Sequence, residues 1–190
     1  EIKATNCTIK NVETYNEWEE PGNIEEVANL MKDSSKGNGN VLVKHKNYGG
    51  FIGTATEGAL DLDGIKVSNV DFNEKYASIG GIYAYADKVK KLNNCTVEDC
   101  EFTSRKSIRG IYGSCAGIGA ETLAMNCEPT NNKVSNVQIT TDNHINSGMF
   151  GFIKGSTVDS IVINNSTIEK RARSCFVGLT IRITYLLIHY

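Results

Sequence analysis

A six-residue pattern recurs five times along this chain and restricts the fold more than any other feature. It reads apolar, any, small polar, apolar, any, apolar. The copies are Ile9-Lys10-Asn11-Val12-Glu13-Thr14, Val67-Ser68-Asn69-Val70-Asp71-Phe72, Val97-Glu98-Asp99-Cys100-Glu101-Phe102, Val134-Ser135-Asn136-Val137-Gln138-Ile139 and Val158-Asp159-Ser160-Ile161-Val162-Ile163. The last two apolar positions of each copy alternate as one face of a strand does. The first lies three residues earlier and breaks that alternation. A bend at the small polar residue restores it, because Asn and Asp tolerate the left-handed region and hydrogen-bond their own backbone. The chain is thus expected to turn a corner at Asn11, Asn69, Asp99, Asn136 and Ser160.

A glycine-led segment recurs as well, at Gly50-Phe51-Ile52-Gly53, Gly81-Ile82-Tyr83-Ala84, Gly110-Ile111-Tyr112-Gly113 and Gly148-Met149-Phe150-Gly151, with a looser copy at Ser174-Cys175-Phe176-Val177-Gly178. The four leading glycines are 31, 29 and 38 residues apart. A period of roughly 20 to 50 residues marks stacked repeats, in which each unit buries its apolar face only against its neighbours. Short segments rich in Val, Ile, Phe and Tyr exclude helical repeats. The expected fold is all-β, a parallel β-helix (β-solenoid) of about five to six coils with one short helical insertion, forming a single domain over residues 1–190. In such a stack the corner side chains lie above one another as a ladder and satisfy each other's amides. A β-sandwich is the alternative, but its strands have no reason to keep a polar corner in one column.

Some stretches fall outside the repeat. From Glu17 to Lys32, Ile24, Val27, Leu30 and Met31 take helical spacing, Asn23 suits a cap, and Glu25 and Glu26 sit in the first turn. With the loop Asp33 to Asn40 this makes a helix-and-loop insertion over 17–40, read as a cover for an open end or face. Val41 to Tyr48 alternates as a half-exposed strand, and turn regions are placed around 54–62, 87–93 and 114–132, the last lengthening the repeat. Residues 175–190 form the most apolar run, a terminal strand or cap, too short and too charged at Arg182 for the roughly 20 residues of a membrane helix. The start at Glu1, a few residues before the first repeat, reads as a processed or excised piece of a longer chain.

Composition narrows the function classes. Net charge is -2, from 20 basic and 22 acidic residues, so no general attraction to nucleic acid or anionic membrane follows. Eighteen glycines and only 2 prolines suit many tight stacked turns. The six cysteines, Cys7, Cys95, Cys100, Cys115, Cys127 and Cys175, include no CxxC pair. Cys100 occupies a Val and Ile column and reads as a small buried hydrophobe. Cys7 and Cys95 share a column but have at least one other coil between them, too far to bridge at ~4.8 Å per strand. Free buried thiols are expected, with one bridge around Cys115 and Cys127 left open.

A search for chemistry finds little. His45, His144 and His189 stand far apart, so no catalytic triad and no zinc set is proposed. Asp61-Leu62-Asp63-Gly64 is the one compact acidic turn, and it lacks the further ligands of a calcium loop. Glu98, Asp99 and Glu101 lie at corner and outward positions, and Arg105, Lys106 and Arg109 form a small basic cluster, read as a solvated edge. Gly117 to Ala120 is no phosphate loop, having no Lys-Ser/Thr after it. Asn6, Asn94, Asn164 and Asn165 satisfy the N-glycosylation pattern, which the repeat itself explains. Tyr83, Tyr85 and Tyr112, if outward, would offer a surface contact. No catalytic residue, metal or cofactor is expected.

The GGFIG and GGIYA segments, each followed by an apolar segment with an Asn or Asp corner, resemble the GLUG-type repeats of bacterial surface proteins. The likeness covers residues 49 to 178 and is closest at Gly50 and Gly81; the copy at Gly148 lacks the doubled glycine, and residues 15 to 48 depart from the pattern. The resemblance implies a parallel β-helical stalk or adhesive module of a secreted or cell-wall protein. The function expected is a non-catalytic extracellular module, a structural stalk or adhesin at the cell surface. Its partners would be other domains of a larger surface protein, further copies of itself, a glycan or a host protein, with no nucleic acid and no membrane span. Two alternatives stand beside it. One is a self-assembling subunit of an extracellular filament, suggested by uncapped ends and the apolar tail. The other is a polysaccharide-active β-helix enzyme, for which Asp61 and Asp63 are the only nominees.

Overall fold

The structure is a computed structural model that describes residues 1–15, 46–75, 77–105, 114–127, 129–141, 145–164, 167–170 and 175–188. These residues form an all-β arrangement of fourteen strands, with no helix among them: β1 (Ile2–Thr5), β2 (Thr8–Tyr15), β3 (Lys46–Gly49), β4 (Ile52–Asp63), β5 (Lys66–Lys75), β6 (Ala77–Gly80), β7 (Tyr83–Asn93), β8 (Thr96–Arg105), β9 (Ser114–Ala116), β10 (Gly119–Met125), β11 (Asn132–Thr141), β12 (Ile145–Asn164), β13 (Thr167–Lys170) and β14 (Cys175–Ile188). The helix-and-loop insertion expected over 17–40 lies outside the described residues. The terminal apolar run is strand β14, paired with β12.

All strand pairs are parallel, and each strand pairs with its counterpart one repeat later. Three stacks result: β1-β4-β7-β10-β12, β2-β5-β8-β11 and β3-β6-β9. The long β12 joins them, its start pairing with β9, its middle with β10 and its end with β11. Because parallel strands cannot be joined by a tight hairpin, the chain must travel through all three stacks before returning to the first.

Local chemistry sets the bends between stacks. Within the second strand of each repeat, β2, β5, β8 and β11, the backbone enters the left-handed region at Asn11, Asn69, Asp99 and Asn136, with φ of 58, 52, 53 and 51°. These are four of the five corners expected from sequence. A second left-handed column precedes it by five residues at Asn6, Gly64, Asn94 and Asn131, with φ of 54, 66, 55 and 54°. Asn and Asp fill the first column and Asn and Gly the second, because these residues enter this region at the lowest cost. The third bend is glycine-led. A β-carbon at Gly81 would overlap the carbonyl of Gly117 and stand 2.7 and 2.8 Å from the methyls of Val97, so the turn rests directly on the opposite wall of the core.

That column runs Gly50, Gly81, Gly117 and Gly148, which corrects the sequence alignment: Gly110 is not a member, and the third copy is Gly117-Ile118-Gly119-Ala120, fixed by Gly119 pairing with Tyr83 and Phe150. Most of the added length falls between Arg105 and Ser114, with one further residue between Met125 and Lys133. Residues 54–62 and 87–93 are likewise strand, the second halves of β4 and β7.

The last copy also shifts. Ile163 pairs with Val134 and Asn164 with Ser135, so the corner position opposite Asn136 falls at 165, outside the described residues. Ser160 is therefore not in the corner column. Local apolar spacing favours the frame at Val158, but strand register sets Ile163 against Val134 and Ile168 against Ile139, five residues later.

The core consists of inward side chains stacked in columns: Leu60, Val89 and Met125; Val67, Val97 and Val134; Val70, Cys100 and Val137; Phe72, Phe102 and Ile139, none more than 4% exposed. Phe72 and Phe102 stack at 5.8 Å between ring centroids, and Tyr48 leans on Phe72 at 5.9 Å. Each fully buried aromatic or branched side chain contributes about 1.5–3 kcal/mol. One polar residue is built into a core column: Asn132, fully buried, accepts from the Cys95 amide at 3.0 Å and donates to the Leu92 carbonyl at 2.8 Å. Both its polar ends are thereby satisfied.

Candidate functional site

The corner at Asn69, Asp99 and Asn136 does more than turn the chain. Where the backbone bends, the inward residues Val70, Cys100 and Val137 leave a concave strip, and the next outward residues, Asp71, Glu101 and Gln138, form its rim. The result is an open groove of about 360 Å³ lined by these nine side chains across β5, β8 and β11. Register makes it a ladder: Asp71 pairs with Glu101 and Glu101 with Gln138, while Glu13 on β2 extends the acidic row past Asp71.

The groove is rich in acceptors. Asp71, Asp99 and Glu101 contribute carboxylates, and the amides are partly committed to the ladder. Asn69 Nδ2 donates to Asn11 Oδ1 at 2.7 Å, and Asn136 Nδ2 to Asp99 Oδ1 at 2.7 Å. Burial, and then the neighbouring Glu13, push the Asp71 carboxyl above its ordinary range. On the inner wall, the Cys100 thiol donates to the Glu98 carbonyl at 3.1 Å, and burial raises it to about 11, so it stays protonated and inert at neutral pH. Such a surface can hold a partner that offers N–H or O–H donors. Among the described residues, no group of three His, Cys, Asp or Glu side chains is placed to hold a metal ion.

The second corner carries its own ladder, which the sequence reading missed. Asn94 Nδ2 donates to Asp63 Oδ1 at 2.7 Å, and Asn131 Nδ2 to Asn94 Oδ1 at 3.3 Å. The signal was present: Asn6, Gly64, Asn94 and Asn131 each stand three residues before the first apolar position of the hexapeptide. Asn6 and Asn94, which satisfy the glycosylation pattern, are corner residues of this column. Asp63, half of the acidic turn, is a member of this edge. Its hydrogen bond from Lys91 at 2.6 Å, with help from Asn94, holds its carboxyl below the ordinary value. Its carboxylate is thereby committed to the corner and to Lys91.

The three tyrosines nominated for surface contact separate. Tyr83 is fully buried, a correction with a plain cause: it follows the glycine turn beside the fully buried Ile82 in the core, and its hydroxyl is satisfied by Thr122 Oγ1 at 2.7 Å. Tyr85 is half-buried and donates to Asp87 Oδ1 at 2.8 Å. Tyr112 lies outside the described residues, as do Lys106 and Arg109.

Cys7, Cys95, Cys100 and Cys127 are free thiols. Cys7 and Cys95 are separated by Ile65 in the intervening repeat, whose amide neighbours pair in register with both, as the spacing argument required. Among the described residues no helix is long and apolar enough to cross a membrane. No family model, curated protein or solved structure matches the chain.

Proposed function

We propose that the chain is a parallel β-solenoid and serves as a non-catalytic extracellular module, a structural stalk or adhesin of a cell-surface protein resembling those with GLUG-type repeats. The observation that carries this reading is the pair of corner ladders, in which side chains of successive repeats bond to one another in register. A chain that spends its recurring polar positions on cross-repeat bonds is suited to a long, regular surface. The groove along Asp71, Glu101 and Gln138 supplies that surface with a contact strip whose repeat matches the strand spacing of ~4.8 Å. Hydroxyl-rich glycans and donor-bearing loops of surface proteins are the partners it suits.

The test presents the full chain to arrays of glycans and surface proteins. Binding that weakens in Asp71→Asn and Glu101→Gln is the outcome expected of an adhesin. Release of cleaved products from a polysaccharide by the unaltered chain, lost in the same two variants, would overturn the non-catalytic reading.

A further inference from the structure

Three carboxylates line the groove and no positive charge answers them. Asp71, Asp99 and Glu101 share it with no lysine, arginine or histidine, and none of the three has an ion-pair partner among the described residues. Other carboxylates on the described surface are paired: Glu1 with Lys3 and Lys90, Asp63 with Lys91, and Glu98 with Lys66. Asp71 and Glu101 are also directly opposed in register, an arrangement of like charges that costs stability. The groove lies wholly within β5, β8 and β11, inside the repeat array.

The corner ladder is broken at the same place. Asn69 has committed its amide to Asn11, and Asp99, the next residue in the column, has no N–H to give, so the interval between them offers acceptors alone. Val70, Cys100 and Val137, each at most 4% exposed, supply an apolar floor. A matching ligand therefore combines a cation with several N–H donors, hydroxyls for the rim acceptors, and an apolar face. A sugar ring that carries a free amine has all three: its ammonium offers three donors, and its C–H face suits the floor. The volume, about 360 Å³, falls at the low end of the roughly 300–1,000 Å³ of small-molecule sites and admits a short glycan segment. A metal ion is the poorer match, since among the described residues no three such side chains converge on one point.

We infer that the groove recognises a glycan bearing free amines, an amino-sugar segment whose ammonium sits over the gap between Asn69 and Asp99. This rests on the groove being the contact strip proposed above. The charge sets this partner apart from the N-acetylated form of the same sugar. Acetylation removes the positive charge, and the three carboxylates would then be covered by the ligand with nothing to balance them.

The test titrates the full chain by calorimetry at pH 6, where the sugar amine is charged, with a short β-1,4-linked glucosamine oligomer and with the N-acetylated oligomer of the same length. The free-amine oligomer is expected to bind, and the N-acetylated one to bind about tenfold more weakly or less, because charge-assisted hydrogen bonds are lost. Added salt should weaken the first and spare the second. Asp99→Asn keeps the acceptor for Asn136, closes the gap with an amide and removes a charge; Glu101→Gln keeps a rim acceptor and removes a charge. Each is expected to weaken the free-amine oligomer about tenfold. Far-UV circular dichroism reports whether the fold is kept, and Glu101→Gln carries the comparison if Asp99→Asn does not fold. Equal affinity for the two oligomers, or binding unchanged in both variants, overturns the amino-sugar partner. Binding confined to neutral glycans or to surface proteins, and lost in Asp71→Asn, overturns it while the groove remains the contact strip. Absence of binding to any glycan or surface protein overturns both.

Discussion

Tyr83 lies directly beneath Gly119: a β-carbon at Gly119 would overlap the hydroxyl end of the Tyr83 ring, which is fully buried and has nowhere to move. The two residues pair across neighbouring strands, β7 and β10. The largest fully buried side chain among the described residues thus stands beside a glycine, and its ring fills the space the missing side chain leaves. Gly119→Ala is expected to destabilise by about 1–3 kcal/mol, the usual cost of overpacking a closed core. Combining it with Tyr83→Leu should recover part of that loss, a non-additivity read by denaturant unfolding. Strict additivity would show that the two do not share the space.

The Tyr83 hydroxyl is a separate matter. It shares a 2.7 Å bond with Thr122 Oγ1 in a fully buried setting. Tyr83→Phe leaves the threonine oxygen without its partner and is expected to cost about 1–3 kcal/mol. Removing both ends with Thr122→Val should cost less than the two single changes summed. Equal melting of Tyr83→Phe and the unaltered chain would contradict the bond.

Asp99 interrupts the first ladder. Asn69 donates to Asn11 and Asn136 donates to Asp99, but no bond joins Asn69 to Asp99, because a carboxylate has no N–H to give. Asp99→Asn supplies that donor, keeps the acceptor for Asn136 and tolerates the φ of 53°. It is expected to stabilise by about 0.5–1 kcal/mol, at the low end for an exposed rung. Chemical denaturation measures it, and a loss of stability would mean that the carboxylate has another role in the groove.

The corner conformation itself can be separated from its bond. Asn69→Gly keeps the left-handed backbone and loses only the rung to Asn11, so a cost below about 1 kcal/mol is expected. Asn69→Ala loses the rung and pays for the left-handed region as well, adding about 1–2 kcal/mol. Equal unfolding midpoints for the two variants would argue against strain as the reason for asparagine here.

Much of this arrangement was legible in the sequence because its most costly constraint is local. Left-handed corners admit few residue types, so Asn11, Asn69, Asp99 and Asn136 stand out in any alignment of the chain with itself. The second halves of β4 and β7 were not legible. In Asp87-Lys88-Val89-Lys90-Lys91-Leu92-Asn93 the outward lysines dominate, and only Val89 and Leu92 mark the buried face. The misplaced copies at Gly110 and Ser160 have a different cause. Both offered an acceptable local pattern, and only pairing with the neighbouring repeat selects Gly117 and position 165. The groove escaped for a related reason: Asp71, Glu101 and Gln138 lie 30 and 37 residues apart and meet only through register.

Thiol reactivity should report the stack. Cys95, Cys100 and Cys115 are buried, and burial raises Cys95 and Cys100 to about 11. Under native conditions at pH 8, iodoacetamide followed by peptide mass spectrometry should label Cys7 well ahead of these three, with all becoming reactive in denaturant. Labelling of Cys95 at the rate of Cys7 would show that the interior opens.

The pH dependence turns on Glu121. Burial pushes its carboxyl above the ordinary value of 4.5, against a partial pull from the Ser78 and Ser114 hydroxyls, with Ser78 Oγ at 2.5 Å. The folded state therefore holds this proton more tightly than the unfolded chain does. Its contribution is fully present below the ordinary value and is lost as pH rises through the raised one. Asp71 acts in the same sense, whereas Asp63 and Glu1, held below their ordinary values, contribute stability that is lost as pH falls. The comparison of Glu121→Gln with the unaltered chain isolates one group from this background, since glutamine still accepts from Ser78 and never ionises. The variant should gain on the unaltered chain as pH is raised from 4 to 8, read as the difference between their unfolding free energies at each pH. A difference that stays constant across that range would mean that Glu121 ionises as freely in the fold as in the unfolded chain, and that the buried Ser78–Glu121 contact carries no electrostatic cost.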